Sequence, residues 1–285
     1  MNKSKFLIRL SLTFILLGLS ILISVFVITG FDIKNLNPYI NGSTERTYVK
    51  SEKIENIDIV TSIDNVKFLK SKDQNVHVVC YDNDIYHYSV EVKEGNLYIE
   101  AKKDKVFWDF LTLFSFPKNR DLIVYLPDNK YGKIKVKNVS GSIEIIDYQF
   151  DHVDLQSISG EMFLSIYSEN IEVKSTSGSV NVENSRGKNF IVNNVSGNIK
   201  VSNSEFSNMN IKAISSSVNF NQIDSEYIHI KTTSGNIVGS VKTSKEFSAK
   251  SISGKINLPK NSKNGKFFAE TISGNIEIKA LKTDN

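Results

Sequence analysis

Serine recurs at a near-constant interval through the second half of this chain: Ser140, Ser159, Ser177, Ser196, Ser215, Ser234, Ser253 and Ser273. A serine hydroxyl becomes a nucleophile only beside a general base, and no histidine stands at a matching offset from these eight. The histidines, His77, His87, His152 and His229, share no metal-ligand spacing. Cys80 is the only cysteine, so the chain forms no internal disulfide; it sits in VHVVCY, which reads as a buried strand. There is no GxGxxG, no phosphate-binding loop and no calcium-binding nonapeptide. No residue is therefore assigned a catalytic, cofactor-binding or metal-binding role.

The serines matter as punctuation. Each precedes one residue of a series: Gly141, Gly160, Gly178, Gly197, Ser216, Gly235, Gly254 and Gly274. The steps between them are 19, 18, 19, 19, 19, 19 and 20 residues, the signature of a solenoid. Offsets −7, −5, −2, +2 and +4 from that residue are apolar in almost every copy; the exceptions are Thr176, Thr233 and Gly239. The −7/−5 and +2/+4 pairs have strand period, and the phase breaks at Ser-Gly. Each repeat is thus two short strands joined at a corner. A rung of this kind buries its apolar side only when stacked on others, at the usual ~4.8 Å strand spacing. The predicted fold is all-β, a β-solenoid of ~19-residue two-strand rungs. Glycine at the corner implies positive φ, and the serines are expected to form a hydroxyl ladder that satisfies corner backbone groups.

Stacking turns offsets into columns. Offset +3 places no two acids on adjacent rungs, so the paired carboxylates of a glycosidase are not indicated. Offset −4 reads Lys137, Gln156, Lys174, Asn193, Lys212, Lys231, Lys250 and Glu270 in repeat order, with Glu270 from the last copy. Lys137, Lys174, Lys212, Lys231 and Lys250 form a basic stripe. It is a solvated face, a track for an anionic polymer such as teichoic acid or an acidic polysaccharide, or a membrane-surface contact. Outside the first 31 residues the charges nearly balance, within a total of 35 basic and 31 acidic residues, which argues against a nucleic-acid partner.

The N-terminus differs in kind. Leu10 to Phe31 carries no charge, and ~20 such residues span a hydrocarbon core. Lys3, Lys5 and Arg9 precede the run, so the N-terminus is expected in the cytoplasm and residues 32–285 outside, on one uncleaved transmembrane helix. The expected organisation is an anchor over 1–31, a stalk over 32–50, an irregular β region over 51–137 and regular repeats over 138–285. An aromatic insertion, 105–118, holds Phe107, Trp108, Phe110, Phe114 and Phe116. It could cover the N-terminal end of the stack, dip into the membrane or meet a partner protein. Only seven residues follow the last copy, so the C-terminal rung is expected to be open to end-to-end self-association unless Lys279, Lys282 and Asp284 protect it.

An N-terminal anchor, IENIDIVTSIDNVKF, a LIVYLP strand and serial VSGxIxV repeats together resemble the bacterial putative-adhesin β-solenoids of unknown function, which include membrane-anchored LiaG-like proteins. The resemblance covers about residues 1–280. It implies an extracytoplasmic β-helix-like domain with adhesion or envelope-stress roles, and it supplies no catalytic residues. The expected function is therefore non-enzymatic: an adhesin-like or envelope-binding scaffold on the cell membrane, with a wall polymer or another envelope protein as partner. The alternatives are an accessory or sensory component of an envelope-stress response and a glycan-processing enzyme on a β-helix.

Overall fold

The computed structural model describes residues 3–28, 43–82, 86–103, 121–262 and 264–282. The aromatics of 105–118 lie outside these residues. The chain divides into two units: Met1–Thr44 with Asp104–Lys118, and Glu45–Lys103 with Asn119–Asn285. The first holds one helix, α1 (Lys3–Ile28). The transmembrane expectation is met only in part. The helix is there, but among the described residues no helix is long and apolar enough to cross a membrane. Side chains of α1 are described from Ser11 to Ser24 and at Val27 and Ile28.

The second unit is a β-solenoid. Its first strands are β1 (Thr44–Lys50), β2 (Asn56–Val60), β3 (Asn65–Lys70), β4 (Val76–Asp82), β5 (Tyr86–Lys93), β6 (Asn96–Lys103) and β7 (Asp121–Leu126). The repeats follow as β8 (Lys130–Asn138), β9 (Ile143–Ser157), β10 (Met162–Ser175), β11 (Val180–Glu183), β12 (Arg186–Ser196), β13 (Ile199–Ser202) and β14 (Glu205–Ser215). The last are β15 (Val218–Lys231), β16 (Ile237–Thr243), β17 (Glu246–Ser253), β18 (Ile256–Asn257), β19 (Lys266–Ser273) and β20 (Ile276–Lys282). Strands before the corner stack in parallel on their copies, and strands after it do the same. β9, β10 and β15 are long because each runs on from the second strand of one rung into the first strand of the next.

The solenoid begins before the regular repeats. β2 and β3 form a rung beneath β8 and the start of β9, and β6 and β7 form one beneath that. That N-terminal end is then closed by antiparallel strands: β5 on β6 and β4 on β7, with β1 on β4.

The other end is not ordered as the sequence reads. β15 and β16, the sixth repeat, pair with β19 and β20, the eighth. The seventh, β17 and β18, pairs on the far side of the eighth. The last repeat is thus inserted between its two predecessors, and the terminal rung is Glu246–Asn257. The expectation of an open end at Gly274–Ile278 is corrected accordingly. Residues 260–262 cover only the beginning of that edge: the Phe247 amide donates to Asn261 Oδ1 at 2.9 Å and the Ser262 amide to the Lys245 carbonyl at 2.8 Å.

Four of the five apolar columns point inward as their period requires. Ile134, Val153, Ile171, Phe190, Met209 and Ile228 are buried at −7, and Ile143, Met162, Val180, Ile199, Val218 and Ile237 at +2. The −2 column does not point inward. Val139, Ile158, Val195, Ile214, Ile272 and Ile252 are exposed, Ile214 to 51% and Ile252 to 73%. The strand simply continues to alternate: −7, −5 and −3 face in, and −6, −4 and −2 face out.

The inward −3 column was missed in the sequence because it is polar: Asn138, Ser157, Ser175, Asn194, Thr232 and Thr271 are all buried. These side chains hold the corner. Asn138 donates to the Gly141 carbonyl at 2.7 Å, and Asn194 to Gly197 at 3.0 Å. The Ser175 hydroxyl accepts from the Gly178 amide at 2.9 Å and donates to its carbonyl at 3.0 Å. The serines at −1, expected to do this, are mostly exposed; Ser159 reaches only the Val139 carbonyl, at 3.2 Å.

The expected positive φ is found at four of the corner glycines, Gly197, Gly235, Gly254 and Gly274, with φ of 107°, 154°, 157° and 157°. Gly141, Gly160 and Gly178 do not have it, and close approach of the adjacent rung is the second cause. A Cβ on Gly160 would stand 1.9 Å from the Gly141 carbonyl oxygen, and one on Gly178 would stand 2.0 Å from that of Gly160. At the glycine corners the carbonyl of the adjacent rung occupies the space that a Cβ would need. The fifth copy, with Ser216, also departs at −3, where Ala213 replaces the polar residue.

Candidate binding face

The outward side of the strands that precede the corner carries two adjacent rows. The first is the lysine stripe, which runs in register from Lys137 through Gln156, Lys174, Asn193 and Lys212 to Lys231. The rung insertion changes its end. Glu270 lies between Lys231 and Lys250, rather than beyond them. Lys231 pairs with Glu270 at 3.2 Å, and Lys174 with Glu172 at 2.7 Å. Lys137, Lys212 and Lys250 make no ion pair among the described residues. Lys212 and Lys231 are register neighbours, a like-charge contact that costs stability unless an anion lies across it.

The second row, two residues nearer the corner, is the exposed Val/Ile ridge at −2. An aligned aliphatic row in water is unfavourable at ~25 cal/mol per Å², and contiguous exposed apolar surface marks contact sites. A shallow groove of about 350 Å³ lies across both rows, lined by Lys137, Gln156, Lys174, Ile158 and Thr176. Sequence reasoning found the lysines but assigned the aliphatic row beside them to the core.

The other reactive side chains stay apart. Cys80 is buried, and desolvation pushes its thiol up to about 12. His77 pairs with Asp73 at 2.9 Å, and that hydrogen bond draws the Asp73 carboxyl down to about 2. His152 meets Asn170 at 3.3 Å. His229 lies against Phe268, ring centres 5.1 Å apart and planes tilted by 59°, and is held below its ordinary value by desolvation first and then by Lys212. Glu205 and Asp224 are carboxylates on adjacent rungs, a pairing not seen in the sequence, but lysines engage both: Lys242 on Glu205 and Lys245 on Asp224, each at 2.5 Å. Among the described residues no cluster of three or more His, Cys, Asp or Glu could hold a metal ion.

Parallel stacking and two-strand rungs define a β-solenoid, and its outward side carries a solvent-facing lysine row. The sequence matches the Toastrack DUF4097 family over residues 54–285, and the chain belongs to that family. Solved structures of similar extent include a putative adhesin of Bacteroides fragilis, 19% identical with a TM-score of 0.45. Another is a putative lipid binding protein of Parabacteroides distasonis, 17% identical with a TM-score of 0.47. A third is a putative adhesin of Parabacteroides merdae, 10% identical with a TM-score of 0.36. Each is matched over 84% of this chain and 97–98% of its own. No match is found among curated proteins.

Proposed function

We propose that this chain is a non-enzymatic, adhesin-like binding protein of the cell envelope, anchored in the membrane by α1 with residues 32–285 outside. The anchor reading rests on the sequence, the uncharged run Leu10 to Phe31 behind Lys3, Lys5 and Arg9. Along α1 the large apolar side chains between Leu12 and Ile23 are exposed, with Thr13, Gly18 and Ser20 among them.

The observation that carries the binding role is the row of lysines, three of them unpaired, beside an exposed aliphatic ridge. Its occupant is an anionic polymer of the envelope: the lysines meet the phosphates and the ridge meets the C–H groups of the units between them. The test is retention of the full chain, in micelles, on immobilised poly(glycerol phosphate). Retention is expected to fall as salt rises, since exposed charge contacts are screened over ~10 Å at 0.1 M. It is expected to be lost when Lys137, Lys212 and Lys250 are changed together to Gln. Salt-independent retention, or retention unchanged in the triple variant, would overturn the proposal.

A further inference from the structure

The rungs turn a second corner after their second strand, and the surface there differs from the lysine face. Two grooves, about 600 and 580 Å³, meet at Tyr167 and Arg186, which line both. The floor of the first is a row of second-corner residues on consecutive rungs: Asp147, Ile166, Asn184 and Asn203. Asp147, Asn184 and Asn203 have φ of 59°, 50° and 50°. Asn and Asp tolerate that conformation best among residues with a side chain, so their polar groups repeat at rung spacing.

Beside this floor runs a register column that crosses six rungs: Lys130, Gln149, Tyr167, Arg186, Glu205 and Asp224. At ~4.8 Å per rung it offers, in order, a cation, an amide, an aromatic ring, a cation and two carboxylates. Tyr167 is 49% exposed although its neighbours Tyr148 and Phe150 are buried. Lys245, 3% exposed, is fixed against Asp224 and Thr243 at the far end of the second groove.

We infer that this double groove is a binding site for a neutral, extended oligosaccharide laid across the rungs. Sugar hydroxyls both donate and accept, so they need a lining that mixes carboxylates, amides and cations. In the second groove Arg186, Lys188 and Lys245 balance Glu205, Asp224 and Glu226, which disfavours a polyanion and distinguishes this site from the lysine face. The half-exposed Tyr167 ring at the junction supplies an apolar platform for the C–H face of a sugar ring. The rung spacing is close to the length of one pyranose unit, so one sugar per rung keeps each unit in register with the column.

The test uses the full-length chain in a detergent without a sugar headgroup. Binding of glucose, mannose and N-acetylglucosamine hexamers is measured by calorimetry and saturation-transfer NMR. At least one hexamer is expected to bind with Kd below about 1 mM, with affinity insensitive to salt. Tyr167→Ala is expected to weaken that binding at least about tenfold and Tyr167→Phe to retain it, while Lys137, Lys212 and Lys250 changed to Gln leave it intact. Tyr167 is exposed, so its variants keep the fold, and a urea melt checks this. Lack of binding by all three hexamers, or binding indifferent to Tyr167→Ala, would overturn the inference, and neither result touches the anionic-polymer reading.

Discussion

Gly160→Ala separates two explanations for the corner glycine. If glycine were there for backbone freedom, alanine would cost little, because Gly160 does not have positive φ. The structure instead puts the new methyl 1.9 Å from the Gly141 carbonyl oxygen and 2.9 Å from the Ser157 hydroxyl. The obstructing atom is backbone, so the two rungs must separate by more than 1 Å locally to reach ordinary contact. That movement stretches the bonds that join them, Ser159 amide to Val139 carbonyl at 2.8 Å and Ile143 amide to Glu161 carbonyl at 2.9 Å. Overpacking costs about 1–3 kcal/mol, and one or two weakened hydrogen bonds add about 1 kcal/mol each. The expected loss is about 2–5 kcal/mol, a large share of a typical 5–15 kcal/mol stability. A urea melt reads it as a lower midpoint at unchanged slope. Ser159→Ala, one residue away on the surface, should stay within about 0.5 kcal/mol of the parent. A Gly160→Ala midpoint equal to that of Ser159→Ala would refute the carbonyl-ladder reasoning.

Ile199→Ala should cost about 2–5 kcal/mol, because Ile199 is fully buried, and Ile214→Ala under about 1 kcal/mol, because Ile214 is half in solvent; equal losses in the same melt would contradict the inward and outward assignment. Cys80 and Tyr131, ordinarily at 9.0 and 10.0, are both pushed up to about 12 by desolvation, so the folded chain holds protons that the unfolded chain gives up. Their contribution to stability is therefore full below about pH 9 and lost as pH rises toward 12; a stability that stays flat over that range would show these groups to be solvated. The exposed Ile252 and Ile256 on the terminal rung, beyond the part of its edge that residues 260–262 cover, should support self-association through that end, which Ile252→Lys with Ile256→Lys abolishes. Sedimentation showing a monomer at every concentration would remove that expectation.

Much of the solenoid was legible because its period is strict and four of its five apolar columns face the core. The −2 column misled because Val and Ile carry the same hydropathy on a ridge as in a core; only the count of residues from −5, with Asn or Ser between at −3, shows that it faces out. The −3 column escaped because a hydrophobicity count passes over Ser, Thr and Asn, although those are the side chains that fasten each corner. The inserted last rung left no mark, since every repeat presents nearly the same edge to its neighbours and sequence order does not fix stacking order. The lysine stripe was legible as soon as the repeats were aligned. The Glu205–Asp224 pair and the column through Tyr167 were not, because they lie near the variable second corner, where no shared residue anchors an alignment.

The lysine face itself can be tested by footprinting. The full chain is acetylated with a limiting reagent, with and without poly(glycerol phosphate), and each lysine is read by mass spectrometry. The account predicts protection at Lys137, Lys212 and Lys250, and none at Lys53 or Lys102, which lie off this row and pair with Glu55 and Glu100. Protection spread evenly over all lysines, or confined to residues outside the row, would contradict it.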